Sequence, residues 1–325
     1  MLKQAIITSF LGKLKDRFCE YQEPITLEQK FADTARIPGV SGTEIVFPYE
    51  VESAEHTVAL LNRFGLKPAA INVNVKPDPA FHQGAFSSPD RSVREKAVSF
   101  VKAGKDFAAA VGADKVTCAP LNDGYDYPFQ VHYGRSWQEM VAALRDAAAY
   151  RPEIPLFVEY KPSEPRVRCL LDTAAKTVVL LHQVGSPALG CTLDVGHAIY
   201  AGENPAESLA LCAGSGFPYY VHINDNNGKW DWDLMAGSVN PLQYLEFLFY
   251  LKELKYDGWI TSDTSPVRQD RLEVFAFNAR FTNQLWEWLD TIDRDRIRHH
   301  LDRHEALPIL KMLEPHLFNA RMSAR

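Results

Sequence analysis

No stretch of this chain approaches the roughly 18 consecutive apolar residues that a membrane-spanning helix requires, so no span is predicted. None of the five cysteines (Cys19, Cys118, Cys169, Cys191, Cys212) stands in a C-x-x-C pair, and the number is odd. That argues against a disulfide framework and fits reduced, mostly buried thiols in a cytoplasmic protein. Positive charge is in short supply. Lys and Arg total 35 against 41 Asp and Glu, a net charge of −6, so a nucleic-acid partner is not expected. No low-complexity segment or Pro/Gly linker divides the chain. The N-terminal MLKQAIITSFLGKLKDR has only a short apolar stretch and reads as a first strand, not as a signal peptide.

What is present is an alternation of β-prone runs with longer helical patterns. The strand candidates are Ala5–Ser9, Gly42–Phe47, Ala69–Val75, Lys115–Ala119, Pro155–Glu159, Gly190–Asp194, Tyr219–Asn224 and Gly258–Asp263. Between them, Ala97, Phe100, Val101, Gly104, Phe107, Ala108 and Val111 fall on one face of a helix over 92–111. Leu242, Leu245 and Phe249 do the same over 240–254, with Asn240 as N-cap ahead of Pro241. Eight such units predict an α/β fold, a closed (β/α)8 TIM barrel, over residues 1–267. A doubly wound open sheet is the alternative, but no Gly-rich phosphate loop follows the first strand. Residues 268–325 read as a helical extension. Its aromatic-rich helix Leu272–Leu289 is expected to pack on the barrel or on a neighbouring subunit, which points to a homodimer or homotetramer.

The chemistry concentrates in the second half. Four β-prone runs each end in a residue that ligates metals. They give Glu159, then Asp194 with His197, then His222 with the D-x-D pair Asp231 and Asp233, and finally Asp263. Barrel enzymes carry their chemistry at strand C-termini, where these residues fall. Taken singly, each has a plainer reading. Glu159 would pair with Lys161 or Arg166, Asp194 would cap a helix, His222 would be a satisfied core residue, and Asp263 would start an Asx-turn before Ser265-Pro266. Taken together, they suggest strands holding one or two divalent ions. Oxygen-rich ligands with one or two imidazoles favour Mn²⁺, with Mg²⁺ or Co²⁺ as alternatives. No cysteine takes a ligand position in these motifs, which argues against structural zinc.

The segment E-x-K-P-x-E-P-R (Glu159 to Arg166) resembles a signature of xylose isomerases, as does AFSSPDRSVR (85–94). The D-x-x-H step, the strand His, the D-x-D step and the final Asp resemble the L-rhamnose isomerase branch of that TIM-barrel superfamily. The resemblance spans roughly residues 40–265. It implies one metal held by Glu159, Asp194, His222 and Asp263, and a second held by bridging Asp194 with His197, Asp231 and Asp233. It places Lys161 near the substrate carbonyl oxygen, with Lys161, Asp231 and His197 as the catalytic set. The implied activity is aldose–ketose isomerisation of a free monosaccharide by a metal-mediated 1,2-hydride shift. The ring-opening His of that family is missing from IVFPYE (45–50), and His132 is the favoured replacement over His82. Trp137 and Phe47, with Phe10, Trp230 and Trp232, are candidates to stack on a sugar. The first alternative is a one-metal ketose 3-epimerase using Glu159 and Asp263 as acid and base. An endonuclease IV-like hydrolase and a non-catalytic sugar-binding module rank lower.

Overall fold

A computed structural model describes residues 2–317. Eight parallel strands close into a barrel: β1 Lys3–Ile7, β2 Gly42–Phe47, β3 Lys67–Val73, β4 Val116–Cys118, β5 Leu156–Glu159, β6 Leu189–Asp194, β7 Tyr219–Ile223 and β8 Trp259–Ser262. Each strand pairs with its neighbour in sequence, and β8 closes on β1. Helices return the chain between strands: α1 Leu27–Ala35, α2 Ala54–Phe64, α3 Arg91–Val111, α4 Tyr133–Ala149, α5 Ala174–Val184, α6 Val195–Tyr200, α7 Pro205–Gly214 and α8 Pro241–Glu253. After β8 come α9 Arg271–Trp288, α10 Arg294–Leu301 and α11 Ala306–Leu317. The protein is a (β/α)8 barrel followed by further helix, as its sequence pattern predicts.

Local chemistry punctuates the repeat. Ser53, Asp90 and Thr173 cap α2, α3 and α5 by accepting a backbone N–H. Gly65, Gly112 and Gly185 end the same helices in the left-handed conformation that favours glycine. The strands are short and largely buried, because helices cover their outer face while side chains fill the inside.

Three expectations are corrected. The first strand starts and ends two residues earlier than expected, because Thr8–Leu11 folds as a 3-10 turn. The third strand is Lys67–Val73, displaced by the same amount. Asn240 occupies the N-cap of α8 but does not cap it with its side chain. Its Nδ2 donates instead to Asp225 Oδ1 at 2.6 Å and to the Asn226 carbonyl at 2.7 Å.

Inside the barrel, Ala70, Phe157 and Tyr220 pack with Trp259 in one apolar layer. The adjoining layer is polar and centres on Glu44. By packing, the chain divides into two compact units, Met1–Thr282 and Asn283–Arg325. In the first, Phe275 of α9 packs with Ile6, Leu11 and Ile37. In the second, His300 Nδ1 lies 2.9 Å from Glu305 Oε2. Among the described residues, no helix is long and apolar enough to cross a membrane.

Candidate metal centre

Glu159 and Asp194 are the last residues of β5 and β6, and Asp263 directly follows β8. His222 lies on β7, in register with Asp194 on one side and Thr261 on the other. Parallel registration therefore brings four ligand residues to one end of the barrel. One donor atom from each of Glu159, Asp194, His222 and Asp263 falls within 4.8 Å of the others. His222 Nδ1 is 3.3 Å from Glu159 Oε1 and 3.3 Å from Asp263 Oδ2. A hard cation takes donors at about 2.0–2.6 Å, which leaves opposite ligands about 4–5 Å apart. The group matches one such ion in size and in donor chemistry.

The other ring nitrogen of His222 points back into the barrel. Its Nε2 is 3.1 Å from Glu44 Oε2. Glu44 also accepts from Asn72 Nδ2 at 2.9 Å, Thr117 Oγ1 at 2.6 Å and Tyr220 OH at 3.1 Å. A carboxylate behind a histidine selects the tautomer whose lone pair faces the ion. Burial would push the His222 imidazole down, but Glu44 and Glu159 override it and hold it well above its ordinary range. Glu44 was missed from sequence. The available signal was an acid inside the otherwise uncharged run G-T-E-I-V-F, where an unpaired carboxylate is costly.

The remaining predicted ligands gather beside this group. Asp194 Oδ1 caps α6 by accepting from His197 N at 2.8 Å, and its Oδ2 accepts from Asn224 Nδ2 at 3.1 Å. Asn224 Oδ1 in turn holds Gly196 N at 2.6 Å. A Cβ at Gly196 would meet that oxygen at 2.3 Å, so only glycine allows the approach. His197 Nδ1 is 3.2 Å from Glu159 Oε1, and its Nε2 is 3.2 Å from Asp231 Oδ2. Lys161 Nζ is 2.5 Å from Asp231 Oδ2 and also pairs with Glu164. Reciprocal backbone bonds between Asp225 and Leu234 close the loop that carries Asp231 and Asp233. Asp233 adopts a left-handed φ of 45° and accepts from Ser265 Oγ at 2.9 Å. Asp231 Oδ1 is buried and makes no hydrogen bond. An orphaned lone pair of this kind suits a cation.

The electrostatics describe an excess of buried negative charge. Burial pushes Asp194 up to about 7 against the attraction of His197, with repulsion from Asp263, Glu159 and Asp231 adding to the rise. Burial, then Asp231 and Asp263, hold Asp233 well above the usual carboxylate range. Burial alone would lower Lys161, but Asp231 and Glu164 hold it well above its usual range, so it is a permanent cation. A cavity of about 430 Å³ opens over these groups, lined by Glu159, Lys161, His197, Asp231, Asp233 and Asp263 on one side.

The three residues proposed to contact substrate lie elsewhere. His132 is exposed and serves as N-cap of α4, accepting from Arg135 N at 3.2 Å. Trp137 sits on the outer helix α4 and donates to Gln183 Oε1 at 2.6 Å. Phe47 packs on Phe107 of α3 at 5.2 Å, because the β2 alternation points Val46 into the cavity and Phe47 away. His82 is exposed on a loop, against the Pro79 carbonyl. Trp230 packs between Tyr200 and Trp232 at 5.9 and 6.4 Å, outside the cavity lining. Phe10 does line the cavity.

A family profile described as a xylose isomerase-like TIM barrel matches residues 31–285. A xylose isomerase from Thermus thermophilus is 29% identical over 224 residues, covering 67% of this chain and 58% of the relative. The chain therefore spans less than two thirds of that relative's length. Among solved structures, a xylose isomerase domain protein from Alicyclobacillus acidocaldarius matches with a TM-score of 0.68 at 17% identity, covering 89% of this chain and 100% of the other. A D-tagatose 3-epimerase-like protein matches with a TM-score of 0.65 at 21% identity, covering 91% and 100%. At those identities the structural likeness establishes a shared fold.

Two measurements follow from this geometry. Glu44→Gln is expected to weaken Mn²⁺ binding by about 10–100-fold, the usual effect of removing a group that orients a ligating histidine. Calorimetric titration checks it, and an unchanged affinity would remove Glu44 from the site. Ligation requires Asp194 deprotonated and His222 neutral, and Glu44 and Glu159 hold His222 protonated above its usual range, so Mn²⁺ affinity should rise with pH and fall as the pH drops through about 7. Affinity that stays level across that range would contradict the buried-carboxylate account.

Proposed function

The chain belongs to the xylose isomerase-like TIM-barrel family, and from that premise we propose that it is a divalent-metal-dependent aldose–ketose isomerase acting on a free monosaccharide. The observation that carries the proposal is the second group beside the four-donor cluster. His197, Asp231, Asp233 and Lys161 are held together at the wall of one cavity. Acid–base epimerisation over a single ion needs only the four donors. Glu159, Asp194, His222 and Asp263 would hold one ion, and Asp194, His197, Asp231 and Asp233 a second, with Mn²⁺ preferred over Mg²⁺ or Co²⁺.

When bound, such ions polarise the sugar's C–O bonds as Lewis acids. The chain's own groups do the rest. Lys161, kept protonated by Asp231 and Glu164, donates to the carbonyl oxygen as negative charge builds on it. Asp231 lies between Lys161 and His197 and fixes the direction of both. The proton leaves O2, the hydride passes from C2 to C1, C2–O2 becomes the carbonyl, and O1 takes up the proton.

A second reading has its own support. Glu159 and Asp263 both reach within 3.3 Å of His222 Nδ1 and both line the cavity, as a one-metal 3-epimerase with two acid/base carboxylates would need. Lys161 also occupies one oxygen of Asp231, which the first reading assigns to the second ion.

The deciding assay uses metal-stripped protein with Mn²⁺, Mg²⁺ or Co²⁺ added back, a panel of aldoses and ketoses, and D₂O as solvent. Metal-dependent conversion without deuterium at carbon is the expected result. Deuterium at the reacting carbon would transfer the assignment to the epimerase reading, and no conversion of any sugar would sink both. Lys161→Met should lower kcat by about 10²–10³-fold, the scale for losing one preorganised electrostatic donor, with metal content retained. A variant that keeps its kcat would show that Lys161 serves only to pair Asp231.

A further inference from the structure

We propose that the monosaccharide taken by this cavity carries a carboxylate, and that Lys76 recognises it. The inference rests on the sugar-isomerase reading above and narrows its substrate class. Lys76 follows β3, is half-buried, and lines the same cavity as Glu159 and Lys161. The two lysines there differ in one respect. Lys161 is held by Asp231 and Glu164, whereas the Lys76 ammonium has no partner among the described residues. An ammonium with no ion-pair partner at a cavity wall leaves a positive charge that a ligand's counter-charge can meet. Neutral hydroxyls supply none.

The backbone around Lys76 is fixed. Its N–H donates to Asn74 Oδ1 at 3.0 Å, and its carbonyl accepts from Asn122 Nδ2 at 3.1 Å. Asn74 and Asn122 line the cavity with it. The first bond takes up the Asn74 carbonyl oxygen and leaves the amide NH₂ as the available group. This corner, built from the segments after β3 and β4, therefore offers the Lys76 ammonium and the Asn74 amide as donors, while Asn122 spends an N–H on the Lys76 carbonyl and leaves its Oδ1 as an acceptor. A carboxylate is well served by one ammonium and a neighbouring N–H. A phosphate usually draws more cationic or backbone donors, and among the described residues no arginine lines the cavity. Glu159, Asp231, Asp233 and Asp263 line the same cavity, so an acidic sugar is favoured with its charge at Lys76 and its reacting carbons at those carboxylates.

The test is calorimetric binding to full-length, Mn²⁺-loaded protein of D-gluconate and D-glucitol, which share a carbon chain and differ at one end by carboxylate against CH₂OH. D-glucitol 6-phosphate is the third ligand, and the wild type is compared with Lys76→Met and Lys76→Arg. Gluconate should bind about 10–100-fold tighter than glucitol to the wild type, the range of one charged hydrogen bond. That ratio should fall to about one in Lys76→Met and return in Lys76→Arg, with circular dichroism establishing that both variants are folded. Equal affinity for the two ligands, binding of neither, or a ratio that survives in Lys76→Met would each overturn the proposal. Tighter binding of the phosphate would overturn it too. If no sugar is turned over, the isomerase reading fails, while these binding ratios still decide the role of Lys76.

Discussion

Glu44, Glu159, Asp194, Asp231, Asp233 and Asp263 gather at one end of the barrel, with Glu164 beside Lys161. Lys161 is the one ammonium paired into them among the described residues. Even after relaxation, burying an ion costs several kcal/mol unless charge or hydrogen bonds compensate it. The rest of the site follows from that constraint. Burial and mutual repulsion raise Asp194 and Asp233 toward their protonated forms, and the surrounding carboxylates hold His197 and His222 well above the imidazole range against their burial. Protons thus gather where a divalent cation would supply two positive charges at a single point. The donor atoms within 4.8 Å of one another are the geometric counterpart of the same demand.

The barrel accommodates this charge by giving up part of its apolar filling. Where branched aliphatic side chains usually interdigitate, the layer below the site is a hydrogen-bonded set of Glu44, Asn72, Thr117, Tyr220 and Thr261. Each visible acceptor position of Glu44 is used, so the layer is polar without being unsatisfied. It also turns His222 so that Nδ1 faces the ligands. The ion-binding end and the packed interior are therefore one network, and a change at Glu44 reaches the site without touching substrate.

Loops make the second half of the site, and they are built more elaborately than the strand ends. Asp225, which the sequence reading did not single out, pairs with Leu234 across the D-x-D loop and also accepts from Val239 N, Asn240 N and Asn240 Nδ2. It ties that loop to the start of α8. Asn224, beside it, positions Gly196 and Asp194. Side-chain bridges of this type hold Asp231 and Asp233 over the cavity, which a flexible loop would not do at a defined distance.

The sequence by itself determined the repeat, the closed α/β architecture and the ligand types. Alternating apolar runs, helix stops and acids or histidines at run ends are local signals, set by side-chain period and by the cost of burying charge. Glu159, Asp194, His222 and Asp263 were legible for that reason. Tertiary structure alone decided which groups face one another. A one-residue difference on β2 turns Val46 inward and Phe47 outward, and His132 and Trp137 belong to a helix whose outer position no local pattern reports. Glu44 becomes part of the candidate metal centre only because barrel closure brings β2 across from β7, 178 residues away along the chain. Contacts of that kind depend on register and closure, which are properties of the assembled sheet and are written in no single segment.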